Sequence, residues 1–199
     1  MLFHKSTGIN LTVYSDRLLL RPITAADTDE LFRIYGDPAT NTFNPAGPYP
    51  HKQYAQNVME TWLAHWDNYG FGHWAIARLN QPQHIVGFGG LSIKYIAHQQ
   101  INNLGYRFAT EAWGQGLATE FCFRTIAFGF DQLRLDTITA MVRENHLASQ
   151  KVLIKSGLKF VGKVDDVPNA PPSLRYSITT PQIILPVNGT VITSISSSA

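Results

Sequence analysis

Two glycines lie between a strand-like segment and a strongly apolar helical segment, in residues 113–119, which read Trp-Gly-Gln-Gly-Leu-Ala-Thr. Glycine lets the backbone turn sharply and lie close to a ligand. A helix that begins here points unpaired N–H groups and the positive end of its dipole at whatever lies in front of it. This arrangement suits a pyrophosphate, held by the main chain of Gly114, Gln115, Gly116, Leu117, Ala118 and Thr119. The common nucleotide motifs do not fit, because no Lys-Ser/Thr pair follows and the spacing is not G-x-G-x-x-G.

The same stretch resembles the acyl-CoA signature of the GNAT N-acetyltransferase superfamily, Q/R-x-x-G-x-G/A. Residues 113–118 depart from it at the first position, where Trp113 stands. With the preceding residues 106–112, the stretch looks like the branch that contains the ribosomal-protein N-terminal (alanine) acetyltransferases. Taken alone, a two-glycine loop is also explained by an ordinary strand-to-helix turn.

A second stretch, residues 144–157, is similar to the family's C-terminal motif N-x-A-S-x-x-V-L-x-K-x-G. Counting back from Ser149, His146 occupies the usual Asn position, and Asn145 lies one residue earlier. The resemblance implies that one of these two contacts the pantetheine arm of CoA, and leaves open which. It also implies that Ser149 hydrogen-bonds the departing thiolate, so Ser149 and His146 are the candidate catalytic residues. The plain alternative for Asn145 and Ser149 is helix capping.

A strand ending near Tyr106, Arg107 and Phe108 is expected, from the same resemblance, to splay from its neighbour. It would offer backbone groups to the pantetheine arm and to the acetyl carbonyl. In many relatives a Glu two residues before the Gly-Tyr of this strand helps to take the proton of the amine. Here Asn103 stands at that place, and an amide is not a base. The remaining candidates for a base are His73, Glu111, His146 and Asp165.

The absence of a carboxylate at position 103 affects which kind of amine can be the acceptor. An α-amine with a pKa near ~8 is about 10% neutral at pH 7, whereas a Lys amine near ~10.4 is about 0.04% neutral. We therefore expect an acetyl-CoA-dependent enzyme without a metal that acts by direct transfer on an N-terminal α-amine or another weakly basic amine. The alternatives are a small-molecule amine acetyltransferase (antibiotic or polyamine), a non-catalytic acyl-CoA-binding module, and a nucleotide-binding protein unrelated to CoA.

The composition limits partners and compartment. Of 199 residues, 44% are hydrophobic and 15% charged, and the net charge is +2. This balance fits a globular protein and argues against nucleic acid or a membrane as partner. The single cysteine, Cys122, stands between Phe121 and Phe123, which predicts a buried, inert thiol and a reducing environment. With no signal peptide and no apolar run of about 18 residues, we expect a cytoplasmic protein, monomer or homodimer.

The order of predicted elements is strand, two helices, three strands, helix, strand, helix and two strands, which is the order of a GNAT domain. We expect an α/β (α+β) single domain with a central mixed, mostly antiparallel twisted sheet of about six or seven strands and about four helices packed on both faces. The predicted boundaries are an N-terminal extension (1–14), the domain (15–180) and a C-terminal tail (181–199). Two further expectations are a core stripe of Tyr54, Val58, Trp62 and Trp66 on the second helix, and an i,i+4 ion pair of Glu120 with Arg124.

Overall fold

The computed structural model describes residues 11–96 and 98–180. Within that part of the chain it has eight strands and four helices in the predicted order, with one additional short strand at the start. The strands are β1 (Val13–Tyr14), β2 (Leu18–Pro22), β3 (His73–Arg78), β4 (Gln81–Ile96), β5 (Gln99–Phe108), β6 (Thr137–Arg143), β7 (Lys159–Val164) and β8 (Ser173–Thr179). The helices are α1 (Thr28–Tyr35), α2 (Lys52–Tyr69), α3 (Leu117–Asp131) and α4 (Leu147–Lys155).

The strand count corrects the expected six or seven. The extra strand, β1, lies inside the segment predicted as an extension and pairs antiparallel with β2. Two residues are too few to show an alternating pattern, so no sequence signal marks this strand. The domain boundaries themselves stay a prediction, and the predicted tail lies outside the described residues.

All eight strands form one sheet in the order β1-β2-β3-β4-β5-β6-β8-β7. Every neighbouring pair is antiparallel except β5 and β6, which α3 connects as a crossover. The two parallel strands share the single register pair Asn103 and Thr139, whereas β4 pairs with β5 along ten positions. Beyond Asn103 the carboxyl ends of β5 and β6 diverge. The sheet therefore opens into a wedge-shaped gap between the carboxyl ends of these two central strands.

The helices cover both faces of the sheet, as expected. One core cluster joins α3 and α4 to alternate strand residues such as Trp74 and Ile76. A second cluster joins α1 and α2 to the opposite face, where Ala75 and Phe88 lie. Period-two alternation along each strand supplies both faces with apolar side chains. No helix among the described residues is long and apolar enough to cross a membrane.

The predicted core stripe on α2 is only partly correct. Tyr54 is 42% exposed and Trp66 is only partly buried, whereas the fully buried residues of this helix are Ala55 and Met59. A four-residue step overshoots one helical turn, so positions twelve residues apart end up about 120° apart around the axis. Tyr54 and Trp66 therefore cannot face the same core.

The Glu120 carboxylate ties the start of the sheet to α3. It accepts hydrogen bonds from Ser15 Oγ (2.7 Å), from the Arg17 amide (2.8 Å) and from Arg17 Nε (2.6 Å). The predicted pair with Arg124 is wrong, because Arg124 Nε donates instead to the Tyr14 carbonyl at 2.6 Å. The N-terminal segment competes successfully for both side chains, a contact that helix spacing alone cannot reveal.

Replacing Glu120 by Ala is expected to cost about 1–3 kcal/mol of unfolding free energy, because its donors lose a largely buried charged acceptor. Urea denaturation measures this. Glu30→Ala is the matched control, since its carboxylate binds Arg33 on an exposed surface of α1 and should contribute less than about 1 kcal/mol. Equal unfolding midpoints for the two variants would contradict the anchoring role of Glu120.

Candidate active site

The glycine loop forms the entrance to α3. Gly114 (φ 72°) and Gly116 (φ 76°) both adopt the left-handed conformation, and Gly116 is the residue that caps the helix. A Cβ atom on Gly114 would meet nothing within 4 Å, and one on Gly116 would meet only Arg17 Nη2 at 3.6 Å. The loop thus lies open on one side, and both glycines hold a backbone conformation that other residues rarely adopt.

The amides of this loop are free. The Trp113 amide donates to the Thr110 carbonyl and the Glu120 amide donates to the Gly116 carbonyl, each at 3.1 Å. The six amides between them, residues 114–119, find no acceptor in the described parts of the chain. Unpaired amides at the start of a fifteen-residue helix carry partial positive charge. This entrance can bind an anion such as a phosphate group.

Basic side chains hold the loop from outside. Arg17 Nη1 donates to the Gln115 carbonyl at 2.9 Å, and Arg78 Nη2 donates to Gln115 Oε1 at 2.9 Å. Gln115 in turn donates from Nε2 to the Glu111 carbonyl at 2.8 Å. The Gln115 side chain is therefore occupied in shaping the loop, which leaves its backbone amide for a ligand. Arg78 also adds positive charge beside the entrance, whereas the charge of Arg17 is paired with the Glu120 carboxylate at 2.6 Å.

Two hydroxyl groups meet across the gap between β5 and β6. Tyr106 Oη lies 3.0 Å from Ser149 Oγ, which stands in the first turn of α4. Burial raises the pKa of Tyr106 well above 10, so this phenol stays protonated at neutral pH. The pair places O–H donors inside the gap. Sequence reasoning named both residues but did not anticipate that their hydroxyls touch.

His146 and Asn145 lie directly before α4, the helix that carries Ser149. The His146 ring stacks on Phe43, from the loop between α1 and α2, with 4.1 Å between centroids. Its Nδ1 atom is buried and has no partner among the described residues, and burial lowers its pKa. Asn145 is exposed. His146 is thus neutral at pH 7, with one ring nitrogen still to be satisfied.

The remaining predicted site residues divide between backbone and side chain. Leu117 and Phe108 are buried in the core, so that only their main-chain groups can face a ligand, whereas Ala118 and Thr119 are partly exposed in the first turn of α3. Arg107 points to the opposite face of the sheet from Tyr106. Its guanidinium lies 4.2 Å from the centre of the Tyr35 ring and donates to Asn41 Oδ1.

A family model described as the acetyltransferase (GNAT) domain matches residues 17–159. The chain belongs to the GNAT acetyltransferase family. Members of this family use acetyl-CoA as the acyl donor, and the free amides before α3 fit the phosphate groups of CoA. The protein is therefore an N-acetyltransferase, with acetyl-CoA as its co-substrate.

The acetyltransferase is similar to several known proteins. The Bacillus subtilis (strain 168) protein YoaA, an uncharacterized N-acetyltransferase, is 27% identical over 150 residues, which are 74% of this chain and 82% of YoaA. The ribosomal-protein-S5-alanine acetyltransferase of Vibrio fischeri has a TM-score of 0.67 at 16% identity, covering 85% of this chain and 97% of its own. The Vibrio cholerae spermidine N-acetyltransferase, solved with CoA and spermine, has a TM-score of 0.69 at 16% identity, covering 84% and 98%. These structures share the fold.

Each candidate base of the acetyltransferase has a position or an environment that argues against this role. Burial lowers the pKa of His73 to about 3, and its ring stacks on Trp62 with 4.0 Å between centroids. Glu111 is engaged by Arg33 at 3.1 Å. Asp165 is exposed, whereas its neighbour Asp166 turns inward and pairs with Arg143. His146, the fourth candidate, lies at the gap, and burial lowers its pKa.

Acidification is expected to destabilise the acetyltransferase through His73. Its folded pKa of about 3 lies below the unfolded value of about 6.5, so the unfolded chain binds the extra proton. Stability is complete above pH 6.5 and is lost as the pH falls toward 3, by about 2–3 kcal/mol between pH 7 and pH 4.5. His73→Phe, which keeps a ring against Trp62, should flatten this slope in urea titrations.

His84→Gln is the control for this titration, because the His84 side chain is half exposed. It removes an imidazole from the surface, and it should change the pH slope less than His73→Phe does. The residual slope in His73→Phe includes the contributions of His65 and His146, whose pKa values burial also lowers. An unaltered slope in His73→Phe would show that this imidazole does not titrate with unfolding.

Proposed function

We propose that this chain transfers the acetyl group of acetyl-CoA directly to the N-terminal α-amine of a protein or peptide. The observation that carries the proposal is the row of six free amides before α3, found in the same domain as the Tyr106–Ser149 pair in the gap. The first feature suits the diphosphate of CoA and the second suits its sulfur. CoA is a single elongated molecule that carries both groups.

Each part of the site has a role in this reaction. The amides of residues 114–119 bind the diphosphate, and Asn145 or His146 hydrogen-bonds the pantetheine arm. Main-chain groups at the diverging end of β5, residues 106–108, orient the arm and the acetyl carbonyl. The amine nitrogen attacks the carbonyl carbon, the carbon–sulfur bond breaks, and the amine proton leaves to water or to the thiolate.

The hydroxyl pair stabilises the departing thiolate by hydrogen bonding. A serine hydroxyl is a weak acid, and the raised pKa of Tyr106 makes its phenol a weaker acid than usual. Donation of a hydrogen bond, rather than complete proton transfer, is therefore the contribution that Ser149 and Tyr106 make. Transfer through a ternary complex is favoured over an acetyl-cysteine intermediate, because Cys122 is buried and burial raises the pKa of its thiol.

The absence of a carboxylate base at position 103 favours an α-amine as acceptor. Asn103 is buried between Ser92 and Thr139 on neighbouring strands and supplies no carboxylate to the gap. A weakly basic amine needs less help to lose its proton. A second candidate is a non-catalytic acyl-CoA-binding module, which the same asparagine favours. A third is a small amine, since one structural neighbour is a spermidine acetyltransferase.

Release of free CoA thiol with a panel of amines tests the proposal. Peptides that begin with Ala, Ser or Met are expected to react at least about tenfold faster than spermidine or an aminoglycoside. An Nα-acetylated peptide with an internal Lys is the control and should not react. Faster turnover of spermidine would assign the small-amine activity instead. Tight CoA binding without amine-dependent release would assign the non-catalytic module.

A further inference from the structure

The face of the sheet opposite α3 carries a row of basic side chains. Ser92, Asn103, Thr139 and Ser177 occupy paired positions on four adjacent strands and define this face, which we call the acceptor face. The contact of 2.9 Å between Thr139 Oγ1 and Ser177 Oγ agrees with that pairing. Counting in steps of two along each strand places one basic residue per strand on the same face: Lys94, Arg107, Arg143 and Arg175.

A single carboxylate neutralises this row within the described residues. Asp166, from the segment between β7 and β8, lies 3.5 Å from Arg143 Nη2. Arg143 also donates from Nη1 to the Pro171 carbonyl at 2.6 Å, which holds that segment over the face. Four cations against one anion leave a net charge of +3 on the acceptor face.

Arg107 is the cation of this row that an aromatic ring and a neutral side chain hold in place. Its guanidinium is fixed between the Tyr35 ring, 4.2 Å away, and the Asn41 side chain. Neither partner is negatively charged, and no carboxylate of the described residues forms an ion pair with it. A guanidinium has five N–H donors, of which Asn41 uses one. The residue is partly exposed and stands near the end of β5, where the strands diverge.

We infer that the acceptor carries a carboxylate close to its reacting amine and that Arg107 determines this specificity. The inference rests on the proposed acetylation of an α-amine and narrows it. A planar guanidinium with free donors matches a carboxylate in two-point geometry. The surrounding positive charge repels polyamines and Lys-rich peptides, which supplies discrimination in addition to attraction. The carboxylate belongs either to Asp or Glu in the second or third position of a peptide or to a free amino acid.

The experiment uses the full chain with three amidated peptides that differ only after the first residue: Ala-Asp-Glu, Ala-Gln-Gln and Ala-Lys-Lys. Alanine, glutamate and spermidine are the other acceptors. The acidic peptide should show a kcat/KM at least about tenfold above that of the basic peptide, and 0.5 M NaCl should shrink this ratio. Preference for a free amino acid over all peptides would place the carboxylate on the reacting residue itself.

Arg107→Met is expected to reduce the acidic-to-basic ratio at least about fivefold, and Arg107→Lys should restore part of it. Arg134→Met is the control, because it removes the same charge from an exposed turn before β6 and should leave the ratio unchanged. An equal loss for all three peptides in Arg107→Met would show a merely structural role and overturn the inference. So would equal or faster turnover of the basic peptide or of spermidine by the wild type. If Arg107→Met does not fold, the salt dependence of the wild type and the ratio measured for Arg107→Lys still test the role of Arg107.

Calorimetry of the peptides on the CoA-loaded protein separates this inference from the proposed function. Preferential binding of the acidic peptide without any acetylation would reject the catalytic proposal and keep the carboxylate specificity. Acetylation of all three peptides at one rate, with equal affinities, would keep the catalytic proposal and reject the specificity.

Discussion

Gly116→Glu is expected to raise the dissociation constant for CoA at least about 100-fold. The new side chain would leave the backbone at the entrance to α3, where a Cβ atom meets only Arg17 Nη2, at 3.6 Å. Its carboxylate would stand where the diphosphate binds, and two like charges about 4 Å apart repel by several kcal/mol near a protein surface. The substituted residue would also have to keep a φ of 76°, which disfavours any side chain. Isothermal titration with CoA measures the loss.

Gly70→Glu is the matched control for this variant. Gly70 ends α2 with a φ of 73°, and a Cβ atom there would meet nothing within 4 Å. The substitution therefore carries the same backbone strain and the same change of charge, away from the gap. CoA affinity in Gly70→Glu should stay within about twofold of the wild type. A similar loss in both variants would mean that the effect is general destabilisation.

Loss of either hydroxyl at the gap is expected to lower kcat about 10- to 100-fold, which is about 1.4–2.7 kcal/mol of transition-state stabilisation. Ser149→Ala and Tyr106→Phe each remove one oxygen from a contact of 3.0 Å. Because the sulfur becomes charged only as the thioester breaks, KM for acetyl-CoA should change less than about threefold. The double variant should lose little more than the stronger single variant, since the two hydroxyls act as a unit.

Tyr95→Phe controls for removal of a phenol oxygen. The Tyr95 ring is 68% exposed, and its hydroxyl donates to Gln100 Oε1 at 2.9 Å on the far part of β4. This variant should keep the wild-type kcat. Additive losses in the double variant of Ser149 and Tyr106 would indicate that the hydroxyls work independently. An unchanged kcat in all of them would remove the pair from the mechanism.

Local patterns were sufficient to predict most of the fold. The four helices and seven of the eight strands have strong periodicity or clear end signals, such as Gly157, whose φ of 89° terminates α4. The incorrect predictions have physical reasons. β1 is two residues long and is held by pairing with β2. The stripe on α2 was misjudged because a four-residue step rotates steadily around the helix.

The glycine loop could be found in the sequence because glycine permits the left-handed backbone conformation that this helix entrance adopts. Contacts across the fold could not. Tyr106 and Ser149 are 43 residues apart and meet only because β5 and β6 diverge after Asn103. The orientation of Arg107 toward Asn41 depends on strand register together with the path of the loop after α1. Whether Asp165 or Asp166 turns inward depends on a loop conformation that no local pattern encodes.

The most direct test of the account compares three ligands by titration calorimetry: CoA, dephospho-CoA and pantetheine. The first two contain the diphosphate and the third lacks it. If the free amides of residues 114–119 hold that group, CoA and dephospho-CoA should bind within about tenfold of each other and pantetheine at least about 100-fold more weakly. Equal affinity for pantetheine and CoA, or no heat on addition of CoA, would contradict the assignment of this loop as the coenzyme site.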